Sequence, residues 1–231
     1  MRMALLLAVS ALLVGCSTGS GGNSGATGST ALTATTPSSR PAPSSTAAPT
    51  SGLTSTTPPR PGAPISDVIR WIEAGTPADV EKYHSMTRGG EVTALRGEVA
   101  FTTAGTESNC VTNRSRDGAL ACLVKLTDPP PRPADVESAW KGNWVDFAGT
   151  TVDVGSPHGD PGPFGDGTGA ELPPGRTLAF GDYRCRADAA GLFCVDYAHQ
   201  TAVALSAAGV EPFGCLQKVN SPTDVGVRFS C

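Results

Sequence analysis

Six cysteines between residue 110 and residue 231 constrain the fold of this chain more than any other feature of the sequence. Many pairings are open to six cysteines. We expect disulfides between sequence neighbours, because a strand–turn–strand can bring each such pair within bridging distance. Zinc is the competing interpretation, but the sequence has no CxxC or CxH spacing. The predicted disulfides are Cys110–Cys122, Cys185–Cys194 and Cys215–Cys231.

The N-terminus has the pattern of an export signal, which would place these cysteines where disulfides form. A short basic segment at residues 1–3 precedes an apolar run at 4–14 that is too short to span a bilayer. The run ends in Leu-Val-Gly-Cys16, which resembles a bacterial lipobox, where the Cys thiol is diacylated and the chain is cut just before it. That resemblance implies a mature chain anchored by lipid at Cys16. The alternative is a secretory peptide with an incidental cysteine.

Residues 17–64 have the composition of a tether. Of these 48 residues, 43 are Ser, Thr, Gly, Ala or Pro. We expect disorder, because such a stretch cannot bury enough apolar surface to offset its ordering entropy. The predicted organisation is a lipoprotein signal peptide at 1–15, the lipidated Cys16 with its tether at 16–64, and one globular domain at 65–231.

The globular domain is acidic. All 21 Asp and Glu lie after residue 64, whereas Arg2, Arg40 and Arg60 precede it, which leaves 14 of the 17 Lys and Arg and a net charge of −7. This charge argues against nucleic acid as a partner, because nucleic-acid binding needs basic patches. No cofactor is predicted.

The domain is predicted to open with a helical hairpin. Ser66 is the expected N-cap of a first helix whose apolar residues repeat at helical spacing until Gly75. Thr76 and Pro77 are expected to start a second helix that runs to about Ser85 and buries Val80 and Tyr83.

After Gly89 and Gly90 the pattern becomes that of short strands rich in Val, Phe and Tyr. The predicted fold class is therefore α+β and mainly β, with the helical hairpin followed by an antiparallel sheet domain that holds three disulfides. The predicted strands are Glu98–Thr102, Ala119–Leu126, Trp144–Phe147, Thr151–Val154, Leu178–Phe180, Tyr183–Arg186, Leu192–Tyr197, Ala202–Ser206 and Val225–Phe229.

Two of the predicted disulfides close similar β-hairpins, which suggests an internal duplication. The segments 110–122 and 185–194 each end in a Gly, small or apolar residues and a Cys. Together with Phe101-Thr102-Thr103 and the run 172–178, these segments resemble the Cys-rich domains of actinobacterial, especially mycobacterial, envelope lipoproteins. The resemblance covers most of residues 65–231 and implies an envelope setting without an established activity. Members often carry Thr-Gly-His-Gly-Phe after the second hairpin, where this chain has His199-Gln200-Thr201-Ala202-Val203. The resemblance therefore implies no role for His199.

Three histidines are candidates for chemistry. His84 is expected at the end of the second helix, where it would complement the helix dipole. His199 is expected in a turn between strands. His158 is the strongest candidate, because Asp153, Asp160 and Asp166 surround it in the sequence and supply hard oxygen donors for Ca²⁺ or a transition metal. The alternative is an ordered surface loop in which each Asp bonds its own backbone.

Aromatic residues near this loop suggest a second kind of site. An exposed platform formed by Trp140 and Trp144 could stack against a sugar while nearby carboxylates orient it. The alternative places Trp144 and Phe147 in the core. Strict strand alternation would put Trp144 and Asp146 on one face, and Val145 and Phe147 on the other.

The sequence therefore predicts a lipoprotein on the outer face of the cell membrane, with a tethered domain that binds a ligand or protein without catalysis. Envelope proteins, glycans and lipids are the candidate partners. One alternative is a cell-wall glycan or lipid hydrolase that uses His158 and its Asp neighbours. The other is a structural envelope scaffold.

The lipobox makes a direct prediction about anchoring. Changing Cys16 to Ser removes the thiol that carries the acyl chains, so the protein should move from the detergent phase to the aqueous phase in a phase-partition assay. A Cys16→Ser protein that partitions like the parent would show that acylation at Cys16 is not the anchor.

Overall fold

The computed structural model describes residues 57–231, and the predicted signal peptide, Cys16 and most of the tether lie outside the described residues. Residues 57–64 belong to the predicted tether, yet Ala63 packs against the first helix cluster of the domain. The elements in chain order are α1 (Ile65–Glu73), β1 (Thr76–Pro77), β2 (Ser85–Arg88), β3 (Glu91–Ala94), β4 (Ala100–Thr103), β5 (Ser108–Asn113), β6 (Ala119–Leu123), β7 (Trp140–Phe147), β8 (Thr151–Pro157), β9 (Thr168–Glu171), β10 (Arg176–Phe180), β11 (Tyr183–Asp188), β12 (Gly191–Asp196), β13 (Thr201–Ser206), β14 (Gly209–Phe213), β15 (Gln217–Val219) and β16 (Val227–Ser230). Short 3₁₀ turns lie at Val80–Tyr83, Arg114–Arg116 and Gly162–Phe164.

The strands form two sheets that pack face to face. One sheet has the order β1-β10-β11-β12-β13-β14, and the other has the order β15-β16-β8-β7-β6-β5-β4-β9-β2-β3. Buried residues from both sheets form one shared cluster, which includes Phe101, Val145, Leu178 and Val203. The predicted class, a mainly β domain that follows a short helix and contains three disulfides, is confirmed.

The two sheets repeat one topology, as the hairpin similarity suggested. Each contains a five-strand antiparallel meander, β4–β8 in one sheet and β10–β14 in the other. Each meander also receives a parallel strand from the other half of the chain: β9 pairs with β4, and β1 pairs with β10. The register repeats too, since Phe101, Cys110, Cys122 and Val145 form a row in one sheet and Leu178, Cys185, Cys194 and Val203 form the matching row in the other. The halves are therefore tied together by exchanged edge strands.

All three neighbour disulfides are confirmed. Cys110–Cys122 and Cys185–Cys194 each join directly opposed residues of a hairpin, with Cα–Cα distances of 4.1 and 4.0 Å. Both bridges are buried between the sheets. Cys215–Cys231 joins two exposed residues near the chain end, with a Cα–Cα distance of 5.0 Å.

The helical prediction is partly wrong. The first helix starts after Pro64 without a side-chain cap, so Ser66 is not its N-cap. Thr76 and Pro77 form β1 instead of a second helix, because the backbone N–H of Thr76 donates to the Gly175 carbonyl (2.9 Å) and pairs the chain with β10. Only Val80–Tyr83 is helical, as a single 3₁₀ turn, although Tyr83 is buried as expected.

The nine predicted strands all fall on observed strands, with ends that differ by a few residues. β5 was expected only as the first strand of the hairpin closed by Cys110–Cys122. The other strands missed were short or half-exposed segments that lack a clear alternation, namely β1, β2, β3, β9, β14 and β15. Such segments are held by pairing with neighbours that are distant in the sequence, which a local pattern does not report.

The disulfides generate a prediction about stability. Loop entropy alone would make Cys215–Cys231 slightly more stabilising than Cys110–Cys122, because it closes 16 rather than 12 residues. We expect the opposite order, because C110A/C122A also leaves a void between the sheets, whereas C215A/C231A alters exposed residues. The core double variant should lose roughly 3 kcal/mol or more of unfolding free energy, measured by denaturant unfolding against the terminal double variant. An equal or larger loss for C215A/C231A would contradict the core role of Cys110–Cys122.

Candidate functional site

Alternation along β7 directs its side chains to opposite faces of the larger sheet. Val145 and Phe147 lie in the core between the sheets, and Trp144 lies in a separate buried cluster on the outer face. Asp146 is on the outer face with Trp144, as strict alternation predicts. Trp144 is only 1 % exposed, so it is not an open platform.

A row of charged residues crosses the outer face. Asp146 on β7 pairs in register with Asp153 on β8, which pairs with Arg228 on β16. Arg228 makes two hydrogen bonds to Asp153, from Nε to Oδ1 (2.6 Å) and from Nη2 to Oδ2 (2.7 Å). The Asp153 carboxylate holds the pKa of Arg228 above its ordinary value. The negative charge of the buried Asp153 carboxylate is thus paired with the positive charge of Arg228.

Among the described residues, Asp146 has no cation bound as closely as Arg228 is to Asp153. Its nearest cation is Arg116 in the β5–β6 turn, whose Nη1 lies 3.6 Å from Oδ2, beyond ordinary hydrogen-bond distance. The carboxylate is 4 % exposed, and this burial raises the pKa of Asp146 against the smaller opposing effects of the Trp144 indole and Arg116. Within residues 57–231, neither Asp146 Oδ1 nor the buried Trp144 Nε1 has a hydrogen bond of good geometry. A buried carboxylate oxygen and a buried indole N–H are therefore both unsatisfied on one face of β7.

His158 covers Trp144. The two rings stack with centroids 3.5 Å apart and an angle of 18° between their planes. The backbone N–H of His158 donates to the Ala139 carbonyl (2.8 Å), and its Nε2 lies 2.9 Å from Ser156 Oγ. Burial lowers the pKa of His158, so the ring is neutral near pH 7. Phe164 closes the other side of Trp144 with an edge contact at 4.9 Å.

Two cavities flank this stack. The larger, of about 530 Å³, lies between the β5–β6 turn and the segment 158–166, and the smaller, of about 160 Å³, lies above the charged row. His158 and Arg116 line both, so these two side chains form the wall between them. The larger cavity mixes apolar residues such as Val111 with charged groups, including Arg114, which pairs with Glu98 at 3.3 Å. On the far side of Arg114 a third cavity, of about 410 Å³, opens at the end of the sandwich.

The four residues of the predicted metal site do not converge. Asp153 is bonded to Arg228, and Asp160 accepts a hydrogen bond from the backbone N–H of Gly162 (3.1 Å), as the surface-loop alternative predicts. Asp166 lines the larger cavity beside His158. No group of three or more His, Cys, Asp or Glu side chains in the described part of the chain has the arrangement of a metal site.

The other candidate residues have structural contacts. Trp140 is partly buried, and its indole N–H donates to the Pro130 carbonyl (2.9 Å). His84 does not end a second α-helix as expected; it follows the 3₁₀ turn, and its Nδ1 bonds the Glu98 carbonyl (2.7 Å). His199 lies in the β12–β13 turn, as predicted, and bonds Asp196 (3.0 Å).

Sequence reasoning missed the two residues that complete the site. Asp146 was noted only for its strand face, and Arg116 was not noted at all. Arg116 lies far along the chain from residues 158–166, and Asp146 lies on the strand before β8; the pairing of β5, β6, β7 and β8 brings both beside that segment. The alternation of β7 was the one available signal, because it predicted a carboxylate on the same face as Trp144.

Comparisons with known proteins identify no relative, since no family model, curated protein or solved structure matches the chain. No helix among residues 57–231 is long and apolar enough to cross a membrane.

The raised pKa of Asp146 predicts how stability depends on pH. Between the ordinary carboxyl pKa and the raised value, the folded protein binds the proton more tightly than the unfolded chain. The contribution of Asp146 to stability therefore falls as pH rises through this window. Asp146→Asn has no such titration, so its unfolding free energy should improve relative to the parent as pH rises from about 4 to 7.

Denaturant unfolding at several pH values measures this difference. Asp224→Asn is the matched control, because Asp224 lines the same small cavity but is exposed. A parent-minus-variant difference for Asp146→Asn that is as flat as the control would show that Asp146 does not titrate abnormally.

Proposed function

We propose that this chain is a lipid-anchored lipoprotein of the cell envelope, whose disulfide-bonded β-sandwich binds a ligand without catalysis in the outer-face cleft. We define the outer-face cleft as the 530 Å³ cavity with the adjoining 160 Å³ recess. Anchoring rests on the Cys16 lipobox, and export is supported by three disulfides among the six remaining cysteines.

The observation that carries the binding proposal is the preformed cavity beside Trp144 and His158. Its volume falls in the range of about 300–1,000 Å³ that is typical of small-molecule sites. The lining combines apolar side chains, among them Val111 and Trp144, with a larger number of polar and charged groups that could orient a polar ligand. Arg114 is already paired with Glu98, so the cleft does not present a strong net charge of one sign. Polar or neutral ligands therefore suit it better than polyanions.

One observation favours the hydrolase alternative. Ser156 Oγ and His158 Nε2 are 2.9 Å apart, as a nucleophile and its general base would be. A triad also needs a carboxylate that orients the histidine, and no such hydrogen bond to Nδ1 is found among the described residues. The imidazole ring of His158 is also held in a stack on Trp144. The spacing Ser138 to Lys141 also matches a Ser-x-x-Lys motif, but it lies at the start of a strand, where the two side chains are not aligned as on a helix turn.

The binding proposal predicts stabilisation by envelope components. A ligand that binds only the folded protein raises its stability by about 2.7 kcal/mol at one hundred times its Kd. Wall glycans, envelope lipids and peptides should be tested by thermal unfolding of the mature chain, and at least one class should raise the melting temperature without being turned over.

A variant that blocks the cleft tests whether the rise in melting temperature comes from binding there. Ser115 is exposed and lines the larger cavity, so Ser115→Trp should fill the mouth and abolish the shift. Ser138 is equally exposed and lines none of the three cavities, so Ser138→Trp should keep it. No shift with any class would favour a scaffold, and turnover that Ser156→Ala abolishes would favour the hydrolase.

A further inference from the structure

Two buried polar atoms beside the outer-face cleft, one hydrogen-bond donor and one acceptor, have no hydrogen bond of good geometry within residues 57–231. Trp144 Nε1 is a buried donor and Asp146 Oδ1 is a buried acceptor, and the two residues lie two positions apart on the same face of β7. A buried polar atom that lacks a hydrogen-bond partner destabilises the folded protein. A ligand group that satisfies both atoms would recover that free energy on binding.

His158 is the barrier to these groups. Its ring covers the face of Trp144 and forms, with Arg116, the wall between the two cavities, so its removal would open part of that wall and uncover the indole. Among residues 57–231, the His158 side chain makes one hydrogen bond, to Ser156 two positions earlier. Both residues stand at the end of β8, next to the exposed segment 159–161. The stacked ring thus occupies a flat apolar surface that a ligand could use.

The chemistry of the two groups selects the ligand. The required atom must accept from an N–H and donate to a carboxylate, which a hydroxyl does. An ammonium cannot accept, and a carboxylate or phosphate cannot donate and would be repelled by Asp146. The ligand must also present a flat apolar face to the indole. A sugar ring has both features in one molecule.

We propose that the outer-face cleft binds a sugar ring that takes the place of the His158 imidazole on Trp144, with one sugar hydroxyl bridging Trp144 Nε1 and Asp146 Oδ1. This inference rests on the proposed function of the cleft as a binding site. The raised pKa of Asp146 agrees with it, because the burial of this carboxylate outweighs the opposing effects of the Trp144 indole N–H and of Arg116. His158 acts as a lid that competes with the sugar.

The test uses the mature chain in a detergent that contains no sugar. Methyl glycosides of glucose, mannose, galactose, arabinose and N-acetylglucosamine are titrated, with affinity from calorimetry and contact from the indole ¹H–¹⁵N signals of the three tryptophans. We expect at least one glycoside to shift the Trp144 signal and to leave that of Trp71, a residue of α1 that packs on the smaller sheet, unchanged.

Three variants are expected to change the affinity for the glycoside in different ways. Asp146→Asn should weaken binding about tenfold or more, because it replaces a charged acceptor by a neutral amide. His158→Ala should tighten binding several-fold, because the competing ring is gone. Asp224→Asn, which removes an exposed carboxylate from the same recess, should change the affinity by less than about twofold. Thermal unfolding of each variant checks that it is folded.

The opposite results overturn the inference. If His158→Ala weakens binding as Asp146→Asn does, His158 is a ligand contact and not a lid. If no glycoside shifts the Trp144 signal in either the parent or His158→Ala, the two buried groups do not bind a sugar. Should a lipid or peptide still stabilise the parent and lose that effect in Ser115→Trp, the sugar inference fails while the binding function stands. If none of the ligand classes binds, both fail.

Discussion

The two disulfides buried between the sheets are the constraint on which the rest of this structure depends. Each locks two directly opposed residues of a hairpin, so neither hairpin can slip in register. A one-residue slip would reverse every side chain of a strand. Cys122 is in turn opposite Val145, which sets β7 with Val145 inward and both Trp144 and Asp146 outward. The bridge at Cys110–Cys122 therefore holds the outer-face cleft in place from the opposite side of the sheet.

The exchange of edge strands adds a second constraint. β1 reaches the smaller sheet from the first half of the domain, and β9, at the start of the second half, pairs with the larger sheet. The fit of β9 is close: a Cβ on Gly169 would lie 2.1 Å from the backbone carbonyl carbon of Ala100. β9 also follows directly on the segment 158–166. The strand that joins the two halves thus anchors the end of the segment that carries His158 and Phe164.

The sequence predicted the parts of this fold that have local signals. Alternating apolar residues located the central strands, and cysteine spacing identified the disulfides. The second helix was predicted wrongly because Thr76 and Pro77 are good helix-start residues, whereas their actual structure depends on the Gly175 carbonyl, a hundred residues away in the chain. The site was only half predictable for the same reason. His158 and Trp144 were candidates, but the roles of Asp146 and Arg116 arise from strand pairing that no local pattern reports.

We propose that this domain binds its ligand in the outer-face cleft and not on another surface of the sandwich. Chemical-shift mapping of the ¹⁵N-labelled mature chain against the glycan and lipid fraction of a cell envelope locates the binding surface. We expect shifts confined to the β5–β6 turn, Trp144 and residues 156–166. Shifts centred on α1 and the outer face of the smaller sheet, with the β7 signals unmoved, would contradict it.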